Sequence, residues 1–277
     1  MGLLDGRIAL VTGAARGQGR SHAVRLAEEG ADVIAIDVCK DIETMQYSGP
    51  RPEDLKETAR LVEALDRRAV TVQADVRDAE AMRRAVRTGV AELGGLDIVC
   101  ANAGVLNTSP AADISDAEWA ATVDINLTGV WNTVQPAIPV LVEQGRGGSI
   151  VITSSSVGLR GALNTAHYAA TKHGVVGLAR TLALELGPHS IRVNTIHPTA
   201  ILTDMIDNKA MFRRFRPDLA DPGPEDVRDR YQGLNILPVP FIEPVDISNA
   251  IVWLSSDQAR YVTAAAIPVD AGATQKA

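Results

Sequence analysis

The sequence predicts an α/β fold, a doubly wound parallel sheet with helices on both faces, in one domain spanning residues 1–277. Three observations predict it. Short, β-branched apolar runs alternate with amphipathic stretches of helical period along most of the chain, the pattern of right-handed crossover units. The first unit reads strand, glycine-rich turn, helix, strand, and closes on an acid. No linker, repeat or low-complexity segment interrupts the alternation, and at 46% hydrophobic residues the chain can bury one large core.

Taken in order, Arg7 to Thr12 (RIALVT) is a strand, GAARGQG a turn, and Arg20 to Glu29 an amphipathic helix ended by Gly30. Ala31 to Asp37 is the second strand. Gly13, Gly17 and Gly19 let the backbone turn tightly and approach a pyrophosphate at the positive helix N-terminus, with Arg16 and Gln18 carried in the same turn. Asp37 then stands where a carboxylate can accept hydrogen bonds from an adenosine ribose, which makes the unit a Rossmann-type dinucleotide site. Strands over Ala69 to Asp75, Leu96 to Ala101, Ser149 to Thr153, Ile191 to Ile196 and Ala266 to Val269 follow. Helices are expected over Pro52 to Arg67, Ala79 to Leu93, Asp116 to Val142, Ala166 to Leu186 and Asp246 to Leu254. Asp75-Val76 and Asn102-Ala103-Gly104 end two of the strands, and ligands of open α/β sheets bind at such carboxyl ends.

Two stretches exceed what the alternation needs. Between Asp37 and the third strand, a short loop and one helix leave about a dozen residues over. These form an insertion at 38–51, with its body at Cys39 to Arg51. It is either a tolerated surface loop or a cover over the adenosine end of the site, where apolar Ile42, Met45 and Tyr47 would be of use. Residues 203–240 carry Met205, Met211, Phe212 and Phe215 and then proline and charge, which suits a mobile substrate flap or a peripheral subdomain.

Composition narrows the partners. A net charge of −7 with no basic, aromatic-broken stripe argues against nucleic acid. There is no apolar run of about 18 residues and no export leader, so neither a membrane nor secretion is expected. Cys39 and Cys100 lie in or beside apolar runs and fit free thiols in a reducing, cytoplasmic interior. The five histidines show no metal-ligand spacing, so no metal is expected.

The chemistry centres on Ser154 to Lys172. Tyr168 and Lys172 lie four apart on a helix and can face one space, and an ammonium near a phenol favours phenolate. Ser155, at a strand end, could flank the same carbonyl or alcohol oxygen. Alone, such a pair is equally an ordinary helix face. Asn126 is an unusual interior helix residue, because its amide competes for backbone hydrogen bonds.

Together these pieces resemble the short-chain dehydrogenase/reductase family over nearly the whole chain. The matching residues are Thr12-Gly13-x-x-x-Gly17-x-Gly19, Asp75, Asn102-Ala103-Gly104, Asn126, Ser155, Tyr168-x-x-x-Lys172, Pro198 and Thr203. The resemblance implies Tyr168 as acid/base and Ser155 as the residue orienting the substrate oxygen. It implies that Lys172 lowers the tyrosine pKa and holds the nicotinamide ribose, while Asn126 holds a water in a proton relay. Pro198 and Thr203 are implied to border the cofactor, and a homotetramer is implied. Thr199 and Ala264 depart from the pattern where glycine is frequent. The insertion, the helix after it and HPTAILTDM further resemble carveol dehydrogenases and the mycofactocin-associated short-chain dehydrogenases. In that group NAD is held without free exchange and an external redox partner, mycofactocin, reoxidises it.

The expected function is transfer of a hydride between a secondary alcohol or ketone, apolar and of terpenoid type such as carveol, and tightly bound NAD. NAD is expected over NADP because Asp37 would repel a 2′-phosphate, with Arg16 as the opposing signal. A reductase of another carbonyl class (steroid or 3-oxoacyl thioester) and a non-catalytic NAD sensor are the alternatives.

Overall fold

A computed structural model describes residues 2–276. Its centre is a seven-stranded, all-parallel sheet of order β3-β2-β1-β4-β5-β6-β7. The strands are β1 (Ile8–Thr12), β2 (Asp32–Asp37), β3 (Ala69–Gln73), β4 (Ile98–Ala101), β5 (Gly148–Thr153), β6 (Ile191–Pro198) and β7 (Ala266–Val269). The helices are α1 (Gly17–Glu28), α2 (Pro52–Glu63), α3 (Ala79–Leu93), α4 (Asp116–Val123), α5 (Gly129–Val134), α6 (Ala137–Gln144), α7 (Ala166–Leu186), α8 (Lys209–Phe215), α9 (Pro224–Gln232) and α10 (Pro244–Ser255). The central strands β1, β4 and β5 are almost wholly buried, as their unbroken apolar runs require in a sheet covered on both faces. One core packs Leu10, Ile34, Ile152 and Val193 against Met82, Val134 and Val175 of α3, α5 and α7. The other packs Val11, Val33 and Val151 against Leu26, Leu55 and Ile251 of α1, α2 and α10. Among the described residues, no helix is long and apolar enough to cross a membrane.

The order reverses between β1 and β4, so the loops leaving these two strands diverge and open a crevice at their carboxyl ends. Two expectations need correcting. The single helix over 116–142 is instead α4, a π-helical turn at Asp124–Thr128, α5 and α6. The wide turn contains Asn126, where a polar side chain competes with the regular ladder. The proline- and charge-rich part of 203–240 also holds a helix, α9, which starts at Pro224 with Glu225 and Asp226 in its first turn. It packs Val227 and Tyr231 onto Ile206, Met211 and Phe212, a small apolar core of its own. The Tyr231 ring lies 4.4 Å from Phe215 and 4.7 Å from Phe241, centroid to centroid.

Candidate active site

The crevice is built first from the β1 turn. Gly13 has φ +69°, and a Cβ there would come 3.0 Å from Ala103 Cα. At Gly19 a Cβ would come 1.9 Å from the Gly13 carbonyl oxygen, so only glycine lets this turn fold back on itself. Across the crevice the β4 exit is stitched to the same turn. The backbone N–H groups of Asn102 and Ala103 donate to Thr12 Oγ1 at 3.1 and 3.2 Å, and Asn102 Nδ2 donates to the Thr12 carbonyl at 3.1 Å. At the β2 end, the buried Asp37 carboxylate accepts from Ala15 N at 2.9 Å and Cys39 N at 3.1 Å. Burial pushes its pKa up, and these backbone donors pull it back.

A cavity of about 500 Å³ follows this crevice. Gly13, Arg16, Gly17, Gln18, Gly19, Asp37, Asp75, Val76, Asn102, Ala103, Gly104 and Thr203 line it, so all these candidate cofactor residues are brought together. The buried Gln18 Oε1 has no hydrogen-bond partner. A glycine cradle at a helix N-terminus, a carboxylate at the next strand end and an unpartnered amide oxygen fit an extended dinucleotide.

A second cavity of about 570 Å³ adjoins it, with Gln18, Asn102, Gly104, Val105, Thr203 and Met205 shared between the two. It holds Ser155, Tyr168, Lys172 and Pro198. The β5 exit supplies Ser155 and the first two turns of α7 supply Tyr168 and Lys172, as their spacing requires. Lys172 Nζ lies 5.6 Å from the Tyr168 ring centroid and donates to the Thr153 carbonyl at 2.8 Å. The expected lowering of the tyrosine pKa by Lys172 is not what this structure gives. Burial pushes the Tyr168 pKa up, and a hydrogen bond with the Ser155 side chain pulls it back. Burial also lowers the Lys172 pKa to about 8. Desolvation is the largest effect on both groups.

Asn126 lines neither cavity. It is fully buried behind Gly104, accepting from Val105 N at 2.8 Å and donating to the Val105 carbonyl at 2.8 Å. Both ends of its amide are thereby engaged with the β4 exit loop, so the side chain braces that loop. Each end of the amide keeps one further hydrogen-bonding position, an N–H and a lone pair.

The insertion reaches farther than the adenosine end. Leu106 N donates to Tyr47 Oη at 3.4 Å, and Asn107 Nδ2 donates to the Thr44 carbonyl. The segment thus crosses the crevice from the β2 exit to the loop after β4, with Ile42, Met45 and Tyr47 facing the first cavity. Arg16 turns its two terminal nitrogens away from a 2′-phosphate: it pairs with Asp204 Oδ2 at 2.7 Å and donates to the Ser48 carbonyl.

Comparison with known proteins agrees with this geometry. Residues 7–213 match the family model described as short chain dehydrogenase. The chain belongs to the short-chain dehydrogenase family. It is 52% identical over 277 residues to (-)-trans-carveol dehydrogenase of Rhodococcus erythropolis, covering 100% of both chains. It is 37% identical over 271 residues to a 3-alpha-(or 20-beta)-hydroxysteroid dehydrogenase of Mycobacterium tuberculosis, covering 98% of this chain and 90% of that one. Among solved structures, carveol dehydrogenase from Mycobacterium avium in complex with NAD superimposes with a TM-score of 0.98 at 55% identity, covering 100% of each chain.

Several residues of this short-chain dehydrogenase escape sequence reasoning. His197 is fully buried and Nδ1 donates to the Ser155 carbonyl at 2.7 Å, while Nε2 accepts from Thr195 Oγ1 at 2.8 Å. A carbonyl can only accept, so the ring is the Nδ1–H tautomer, and burial lowers its pKa. A histidine beside Pro198 gave no signal, because its partner lies 42 residues away. Of the two departures, Thr199 Oγ1 donates to Asn235 Oδ1 at 3.2 Å and ties the β6 exit to the flap. Ala264 adopts φ +58°, a conformation that glycine accepts with less strain.

Proposed function

We propose that this short-chain dehydrogenase is an NAD-dependent oxidoreductase of secondary alcohols and ketones. The observation that carries the reading is the meeting of the two cavities. The glycine-cradled crevice adjoins the space holding Tyr168, Ser155 and Lys172, through Gln18, Asn102, Gly104, Val105, Thr203 and Met205. In this reading NAD, when bound, supplies the hydride acceptor.

Gly13, Arg16, Gly17, Gln18 and Gly19 hold the pyrophosphate side, Asp37 the adenosine ribose, and Asp75 and Val76 the adenine side. Asn102, Ala103, Gly104, Pro198 and Thr203 border the nicotinamide side. Tyr168 takes the hydroxyl proton during oxidation and returns it during reduction. Ser155 orients the substrate oxygen. Lys172 supplies positive charge beside the phenol and a donor for the nicotinamide ribose. Asn126 fixes the β4 exit loop through Val105. Proton transfer by a placed side chain supplies roughly 10²- to 10⁴-fold in rate, and holding the reacting carbons close supplies much of the rest. The engagement of Arg16 by Asp204 and Ser48, beside an acidic Asp37, favours NAD over its 2′-phosphorylated form.

The finer reading is an apolar alicyclic alcohol of the carveol kind, with NAD retained between turnovers and reoxidised by an external partner such as mycofactocin. The insertion crossing the crevice supports it. The same reading takes the chain as one dehydrogenase domain, with 38–51 as cover and 203–240 as substrate flap. It also takes the protein as cytoplasmic and homotetrameric. Trp119, Trp131 and Leu184, 48%, 43% and 80% exposed, offer apolar surface to further copies, and Cys39 and Cys100 are free thiols. The test is a panel of alicyclic secondary alcohols given to the purified protein with an artificial electron acceptor. Turnover of at least one alcohol is expected, and none across the panel would contradict the reading.

A further inference from the structure

The second cavity has a charge pattern that an apolar alcohol does not explain. The chain carries 34 Asp and Glu against 27 Lys and Arg. Asp37, Asp54, Asp75 and Asp204 all face the first cavity. No Asp or Glu among the described residues lines the second, yet Arg160 and Arg214 both do. Neither has a carboxylate within ion-pair distance among the described residues.

The two guanidiniums come from separate elements that close on each other. Arg160 sits in the loop that follows Ser155, and its buried Nε–H has no hydrogen-bond partner. Arg214 lies on α8 of the flap, stacked 5.4 Å from the Phe215 ring centroid, and Nη2 donates to the Leu163 carbonyl at 2.9 Å. An arginine has five N–H donors in a planar fork. Arg214 spends one of them on Leu163, leaving most of both forks for a ligand. Arg214 is half-buried, and that burial lowers its pKa with no carboxylate paired to it among the described residues. An unpaired buried donor or charge is costly to keep unless something satisfies it. The rest of the wall, Val105, Leu106, Val157, Met205, Met211 and Tyr231 among it, suits a hydrocarbon body.

We propose that the substrate is an alicyclic hydroxy acid or keto acid. Its hydroxyl or ketone meets Tyr168, its ring packs on the apolar wall, and its carboxylate is held by Arg160 and Arg214. The proposal rests on the secondary alcohol/ketone reading above, keeps its alicyclic ring, and replaces the wholly apolar substrate by one that carries a carboxylate. It does not change the chemical step, because the acid group sits away from the reacting carbon and only binds.

Binding and turnover separate the two readings. Calorimetry on the purified protein with saturating NAD would compare 4-oxocyclohexanecarboxylate with its methyl ester, which keeps the ring and ketone and removes the charge. The acid is expected to bind roughly 10- to 100-fold tighter, as charge-assisted hydrogen bonds to a planar fork allow. Arg160→Met and Arg214→Met should each reduce that ratio, and the double variant should bring it close to one. Because the ratio is taken within each variant, a general loosening of the flap at Arg214 moves both ligands and leaves it unchanged. An acid that binds no better than its ester, or no binding of either, overturns the proposal. So does a preference that survives in the double variant. Turnover of the corresponding alcohols is measured in parallel. Acid preference in binding with no oxidation of any alcohol would leave the carboxylate site standing and remove the dehydrogenase reading. Oxidation of a neutral alcohol without acid preference would do the reverse.

Discussion

The Arg16 guanidinium, carried on the glycine turn, pairs with Asp204 at 2.7 Å and joins that turn to the segment that follows β6. The same side chain donates to the Ser48 carbonyl, so insertion, glycine turn and flap meet at one residue. Arg16 and Asp204 both line the crevice, so a dinucleotide there is expected to part this junction as it leaves. Affinity set in this way changes mainly through the off-rate. Asp204→Ala removes the flap side of the junction while leaving the glycines untouched. The pair is partly exposed, 26% and 64%, so its loss is expected to speed NAD release by about 2- to 5-fold, the range of such ion pairs. The release rate, followed by rapid dilution into an NAD trap, checks this. An unchanged rate would show that the pair does not gate the site.

The insertion should have the larger effect, because Tyr47 and Thr44 carry it across to Leu106 and Asn107. Replacing residues 40–50 by a short Gly/Ser turn is expected to let dialysis strip bound NAD, and the unmodified protein is expected to retain it. NAD content of both proteins after the same dialysis is the measurement. Equal loss from both would reduce the segment to a surface loop.

His197 holds the backbone of Ser155 rather than substrate, which makes it a positioning residue. His197→Leu deletes the donor to the Ser155 carbonyl and is expected to lower kcat by up to about tenfold with little change in KM, the scale of one buried hydrogen bond. His197→Asn keeps an N–H near the same place and should recover most of that loss. Since burial keeps the imidazole neutral, the pH profile of His197→Asn should overlay that of the unmodified protein. A shifted acid limb would mean that His197 titrates in the reaction.

Lys172 should leave a mark on stability that can be read without any cofactor. Its folded-state pKa falls to about 8 from an ordinary 10.5, so between those values the unfolded chain binds more protons than the folded one. Stability from this group therefore rises as pH climbs from 8 to 10.5, and below pH 8 the buried cation is a constant cost. A shift of that size amounts to about 3 kcal/mol. Subtracting the urea stability of Lys172→Met from that of the unmodified protein isolates the group. The difference should move by up to that amount in favour of lysine across the window, and a flat difference would show that Lys172 is not desolvated.

Much of this was legible in the sequence because the signals are local. The β-branched runs gave every strand, and the Tyr168/Lys172 spacing fixed one helix face without knowledge of its partners. The Gly13 to Gly19 turn and Asp37 were readable because the crossover unit brings them together within a short stretch of chain. What was not legible depends on long-range contacts. The π turn at Asn126 arises where the amide turns to Val105, a contact that no helical period announces. The insertion looked limited to the adenosine end because sequence distance measures reach from Asp37 and not the direction taken. Arg160 and Arg214, 54 positions apart, show their common cavity only once α8 folds onto the loop after β5. The direction of the Tyr168 shift was missed because a helix-face argument counts the neighbouring charge and omits the desolvation of both groups.

Tyr168 is assigned to move the proton in alcohol oxidation, and one single-turnover experiment tests that role most directly. NAD-loaded protein and NAD-loaded Tyr168→Phe are each mixed with an alicyclic secondary alcohol that the unmodified protein oxidises, and reduction of the bound nicotinamide is followed by its absorbance. The phenol-to-phenyl change is expected to leave the fold and NAD content intact while slowing reduction by at least about 10²-fold. Reduction at a near-normal rate in Tyr168→Phe, with NAD still bound, would contradict the assignment.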